Sequence, residues 1–176
     1  MTDTPTQKPE PDDAALALAD KLFDLASHGE TESLRDPLQQ GQTANIRDGN
    51  GNSLLMLASY NGHYETSKLL LEHGADPEQA NALQQTPLTG AALNGMVEIA
   101  KLLIDNGADI NAVTPDGKTP LMYAAMFNQP DIVDLLLANG ADAYAKSADG
   151  LTALALARAM GAELAARRIA QHVELF

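Results

Sequence analysis

The sequence predicts an all-α repeat solenoid of about five stacked helix-turn-helix units, and three observations carry that reading. The segments "NSLLMLASYNGH", "QTPLTGAALNGM", "KTPLMYAAMFNQ" and "LTALALARAMGA" place Ser53, Thr86, Thr119 and Thr152 at a constant separation of 33 residues. "HGADPEQ", "NGADINA" and "NGADAYA" set Gly74, Gly107 and Gly140 on the same period. Composition agrees: 45% of the chain is hydrophobic, yet aromatic residues make up only 4% and Trp is absent. Such a core of small and aliphatic side chains suits close-packed helices better than a sheet sandwich.

The elements follow in chain order. Residues 1–13, with Pro5, Pro9 and Pro11, read as a disordered tail. A helix is expected over 14–28, with Asp12 or Asp13 near its N-terminus, where negative charge is favoured. Leu22, Gly29 and Gly41 fall 33 residues before Leu55, Gly62 and Gly74, so 14–47 is expected to be a degenerate first unit. Pro37 sits in its second helix and predicts a short or kinked element, for example one that starts late with Ser33 as N-cap. Full units are then expected at 48–80, 81–113 and 114–146, with a C-terminal capping unit at 147–176.

Within each unit, Ser53, Thr86, Thr119 and Thr152 are placed as N-caps, and Pro87 and Pro120 follow at the first helical position, where a missing N–H costs little. The pairs Leu55 and Ala58, Leu88 and Ala91, Leu121 and Ala124, and Leu154 and Ala157 show the three-residue spacing of one buried face. Gly62, Gly95 and Gly161 end these first helices, and Asn128 takes the same place in the third full unit. Second helices carry Leu69–Leu71, Leu102–Ile104 and Leu135–Leu137, and are stopped by Gly74, Gly107 and Gly140. Gly90 stands where the other units have Leu57, Tyr123 and Leu156, and the ring of Tyr123 is expected to fill the volume it leaves.

This pattern resembles the ankyrin repeat, whose unit of about 33 residues opens on T-P-L-H-x-A and closes on G-A-D. The resemblance covers Asp48–Lys146 as three full units and Ser147–Phe176 as a cap. The usual His is replaced by Met56, Thr89, Met122 and Ala155, so its hydrogen bonds near the turns are not expected. "DGNGN", residues 48–52, then reads as a finger turn between units, although Asp48, Asn50 and Asn52 have the spacing of the first calcium ligands in an EF-hand loop. Position 6 of such a loop would be Ser53 in place of Gly, and position 12 would be Ser59 in place of Glu.

Charge and motif content narrow the function classes. With 24 acidic and 11 basic residues the formal charge is −13, which disfavours a nucleic-acid partner. No stretch approaches a membrane span and "MTDTPTQKPEPDD" lacks the regions of a signal peptide, so a cytoplasmic location is expected. Zero Cys excludes disulfides, thiolate metal sites and a Cys nucleophile. His28, His63, His73 and His172 are not paired at helical spacing, and no Walker A, G-x-S-x-G or G-x-G-x-x-G pattern occurs. Asp76, Asp109 and Asp142 recur with the period, which marks turn residues rather than one asymmetric catalytic site. The expectation is a chain that is not an enzyme, with no cofactor and no metal.

The resemblance implies a concave binding face made from finger tips and the exposed side of the first helices. Carried over residue by residue, it assigns Tyr60 and Asn61, Leu93 and Asn94, Met126 and Phe127, and Met160 on the helices, with Ala159 beside it. On the fingers it assigns Asn50 and Asn52, Leu83 and Gln85, and Asp116 and Lys118, with Asp149 and Leu151 in the last unit. Phe127 is the expected aromatic anchor. Residues 1–47 carry nine acidic against four basic side chains, which favours a protein partner with a basic surface. The implied function is a small, stand-alone, monomeric adaptor, regulator or inhibitor of bacterial type. Two alternatives use the same features: self-assembly through the apolar strip or "HVELF", and a calcium-binding array on "DGNGN".

Overall fold

The computed structural model describes residues 13–174. Among the described residues ten helices run in pairs: α1 Asp13–His28 and α2 Thr31–Gln39; α3 Leu54–Tyr60 and α4 Tyr64–Glu72; α5 Pro87–Leu93 and α6 Val97–Asp105; α7 Pro120–Met126 and α8 Pro130–Ala138; α9 Ala153–Ala159 and α10 Glu163–Glu174. Among the described residues, strand-like pairing is confined to one bridge, Arg47 to Ser53, at the base of a finger. Most of the tail expected to be disordered lies outside the described residues, as do Leu175 and Phe176 of "HVELF". Asp13 opens α1 with a carboxylate in its first turn.

The short first helices begin where the caps dictate. Ser53, Thr86, Thr119 and Thr152 hold extended backbone, and their hydroxyls accept the N–H of Met56, Thr89, Met122 and Ala155. Each thereby satisfies a donor that has no partner inside the helix. The turns that end α3, α5 and α9 have φ of 83, 72 and 69° at Gly62, Gly95 and Gly161, and Asn128 takes 54° after α7.

First helices stack on first helices, α1 through α9, and second helices on second helices, α2 through α10. Leu22, Leu55, Leu88 and Leu121 are all at most 2% exposed, and Leu70, Leu103, Leu136 and Ile169 are fully buried. Both columns keep the 33-residue period. Ala58, Ala91, Ala124 and Ala157 are also fully buried and let the two rows approach closely. Leu154 is only half-buried, because no further pair packs over it among the described residues.

Neighbouring units are stitched by side chains that meet backbone. Asn45 Oδ1, Glu78 Oε1 and Asn111 Oδ1, on one period, accept the N–H of Asp76, Asp109 and Asp142 at 2.8, 2.8 and 2.9 Å. His63 Nε2 donates to the Ser27 carbonyl at 2.9 Å and Gln129 Nε2 to that of Leu93 at 3.3 Å, so both side chains tie one unit to the unit before it. Finger tips join as well: Ala82 N–H donates to the Asn50 carbonyl at 3.0 Å and Ala148 N–H to that of Asp116 at 2.8 Å. Gly51 and Gly117 sit at those joints with φ of 77 and 72°, and a Cβ would lie 2.9 and 2.8 Å from the Ala82 and Ala148 nitrogens. A side chain cannot be placed there. Between the second and third fingers the equivalent donor is Pro115, which has no N–H, and Gln84 takes the glycine position with φ of 58°.

Two expectations are corrected. Helix α2 does not start late at Ser33: it runs the same nine residues as α4, with Glu30 at its N-cap and Pro37 inside it. Leu34 and Leu38 are 0% and 5% exposed, and burying this pair one turn apart outweighs the bond that Pro37 removes. The space at Gly90 is not filled by Tyr123. A Cβ there would meet Tyr60 Cδ2 at 3.4 Å and Met56 Sδ at 3.5 Å, because position 90 opens toward α3. Tyr123 instead turns its hydroxyl to 3.5 Å from Thr114 Oγ1 of its own finger.

Candidate functional site

Finger geometry is set by local side-chain bonds. Asp48 Oδ1 accepts the N–H of both Asn50 and Asn52 at 2.8 Å, and Asp48 Oδ2 accepts Asn52 Nδ2 at 3.1 Å. That carboxylate is already occupied in closing the turn. Asn81 does the same work in the second finger, its Oδ1 accepting the N–H of Leu83 at 2.9 Å and of Gln85 at 3.1 Å. In the third finger Asp116 is bonded by Lys118 and by the Thr114 hydroxyl, which together hold its carboxyl below the ordinary aspartate value. Lys118 is correspondingly held above the usual lysine value by Asp116. Its side chain is 18% exposed, so it serves the finger more than it offers a free cation.

The sequence-assigned residues divide on exposure. Tyr60, Leu83, Phe127 and Met160 are 48%, 68%, 52% and 60% exposed. Asn50, Asn61 and Asp116 are also exposed, while Asn52, Gln85 and Lys118 are half-buried. Leu93, Asn94 and Met126, expected on the open face, are half-buried too. Met126 packs against the core, and Asn94 Nδ2 donates to the Tyr60 carbonyl at 3.3 Å, so the stacking of first helices covers them.

One recess gathers several of these residues. Asn52, Met56, Leu57, Tyr60, Asn81, Gln85 and Gly90 enclose a cavity of about 320 Å³ between the first and second full units. Gly90 lies inside α5 without a positive φ, and its nearest neighbours would leave a Cβ in near-ordinary contact, so neither backbone nor crowding requires glycine. Glycine inside a helix costs about 1 kcal/mol relative to alanine. The recess is what the missing side chain leaves open. Met56, Leu57, Asn81 and Gly90 were not among the assigned site residues; the signal for them was the column Leu57, Gly90, Tyr123, Leu156, with one side chain absent. Asn61 Nδ2 is turned to the Leu57 carbonyl at 2.9 Å, and Phe127 and Met160 do not line the recess.

Charge is uneven along this face, with Asp116 and Lys118 on the third finger. In the first two full units the assigned positions, Asn50 through Asn94, are all uncharged, within a chain of net charge −13. Outer-face carboxylates such as Glu32, Glu65 and Glu72 instead share a groove with Arg35 and Lys68. Among the described residues no three His, Asp or Glu side chains converge as a metal ion would require, and no helix is long and apolar enough to cross a membrane.

Comparison with known families matches residues 22–114 to the pattern described as ankyrin repeats in three copies, and residues 103–157 to that of ankyrin repeats in many copies. The chain belongs to the ankyrin-repeat family. Ankyrin repeats are a general protein–protein interaction module. A Pseudomonas aeruginosa protein named for its ankyrin repeats is 50% identical over 69 residues, which are 39% of either chain. A Caenorhabditis elegans homolog of the transient receptor potential cation channel subfamily A member 1 is 39% identical over 84 residues, 47% of this chain and 6% of that one. Human ankyrin repeat domain-containing protein 63 is 37% identical over 54 residues, 31% of this chain and 14% of its own length. This ankyrin-repeat chain thus spans well under half of each of these relatives.

Proposed function

We propose that this ankyrin-repeat chain is a non-catalytic binding module that holds a protein partner on its concave face and acts as an adaptor, regulator or inhibitor. The observation that supports the reading is the exposure of Tyr60, Leu83, Phe127 and Met160, beside finger residues that are uncharged at the assigned positions of the first two full units, in a strongly acidic chain. Apolar anchors inside a polar rim, depleted of charge, are the composition of an interface core. The assigned site residues and the unit boundaries at 48, 81, 114 and 147 belong to the same proposal, as do monomeric action and a cytoplasmic location.

A crosslinked pull-down from source-cell lysate tests it, with wild type beside Tyr60→Ala/Phe127→Ala after circular dichroism establishes that both fold alike. A protein retained by wild type and lost by the variant is the expected result. Equal retention by both baits would move the binding face elsewhere. A mass that rises with concentration in wild type alone would favour self-assembly instead.

A further inference from the structure

We propose that the recess at Gly90 receives one uncharged apolar side chain of the partner polypeptide, with the adjoining peptide group bonded to Asn52 and Gln85. The proposal rests on the concave face being the binding surface and specifies what that surface selects. The recess is lined by Met56, Leu57 and Tyr60, with Met56 Sδ and Tyr60 Cδ2 nearest to position 90, and by the residues Asn52, Asn81 and Gln85, which carry carboxamides. Asn52 uses its Nδ2 on Asp48, which leaves Oδ1 open as an acceptor. Asn81 Nδ2 donates to Gln85 Oε1 at 3.4 Å, which leaves Gln85 Nε2 open as a donor. One acceptor and one donor lining the same recess match the N–H and C=O of a peptide group.

No charged side chain lines the recess. A Lys, Arg, Asp or Glu anchor would lose hydration there without gaining a counter-ion, whereas an aliphatic or aromatic side chain gains from burial. The glycine inside α5, with no backbone need for it, is what leaves this space, and a side chain at position 90 would fill part of it from beside Met56 and Tyr60.

The test is selection of a display library of random short peptides against the intact chain. Each enriched peptide is then measured by fluorescence anisotropy on wild type, Gly90→Ala, Gly90→Leu and Phe127→Ala. Gly90→Leu copies the residue at positions 57 and 156; should it misfold, Gly90→Ala, whose Cβ the structure accommodates, carries the test. The expected result is a melting temperature at or above wild type together with binding weakened several-fold by alanine and by about 30-fold or more by leucine. Alanine scanning of the peptide should find a single apolar anchor.

Peptides that lose binding with Phe127→Ala but keep it with Gly90→Leu overturn the recess while leaving the concave-face reading intact. Peptides indifferent to both variants, or a library that yields no binder, overturn both. A Lys or Arg anchor overturns the assigned chemistry. Self-association of wild type abolished by Gly90→Leu would make a second copy of this chain the occupant and overturn the proposal as stated.

Discussion

At residue 84 the backbone is left-handed, with φ of 58°, on a glutamine where the fingers on either side have Gly51 and Gly117. A side chain in that region costs roughly 1–2 kcal/mol, part of which glycine returns as unfolded-chain entropy. Gln84→Gly is therefore expected to raise the unfolding free energy by about 1 kcal/mol in urea titration, and an unchanged or lower midpoint would contradict the reading. Glu78 offers a second residue-level test. Partial burial, then the nearby charges of Asp109 and Asp76, push its carboxyl above the ordinary glutamate value, opposed by the bond it accepts from the Asp109 N–H. A raised value means that the folded state favours the protonated acid, so this group's stabilising contribution is present at low pH and is lost as pH rises through its titration. Glu78→Gln should keep the bond and stabilise the chain at neutral pH by a few tenths of a kcal/mol, a gain that closes as pH falls below the glutamate range. Comparing thermal melts of both proteins across pH would reveal the trend, and a gap that widened in acid would refute it.

Helix boundaries were readable in advance where the deciding bond is local. Each N-cap hydroxyl binds an N–H three residues on, and each terminal Gly or Asn takes its own left-handed turn, so sequence spacing alone locates α3, α5, α7 and α9. Helix α2 was misjudged because its extent is decided at a distance, by the burial of Leu34 and Leu38 and by Thr31, whose hydroxyl lies 2.7 Å from that of Thr66 in α4. Pro37 remains a local defect within it. Pro37→Ala restores a donor to the Ser33 carbonyl, and the expected outcome is a gain of roughly 1–3 kcal/mol, with slower hydrogen exchange across α2 and little change in α8. Equal exchange in wild type and variant would mean that packing alone sets the stability of this helix. The filling of position 90 was illegible for a related reason: the period identifies equivalent positions but not which neighbour each of them faces.

Across the whole molecule the fold was legible because one short set of signals is repeated, and repetition makes chance agreement improbable. The proposed binding face was legible only in part. Its row of positions follows from the repeat, but stacking half-buries Leu93 and Met126, and the recess depends on an absent side chain. The acidic "DGNGN" finger is closed by its own Asp48, so the melting temperature should stay unchanged up to about millimolar calcium, and a calcium-dependent rise would reopen the ion-binding alternative. The missing N–H of Pro115 has a mechanical meaning. Adjacent fingers on either side of it are latched by a backbone bond, at Asn50 with Ala82 and at Asp116 with Ala148, whereas the middle pair meets unlatched. Pulled apart, these middle fingers have no backbone bond to break, and their resistance comes from the packing of α5 on α7 and α6 on α8 and from the Gln129 bond to the Leu93 carbonyl.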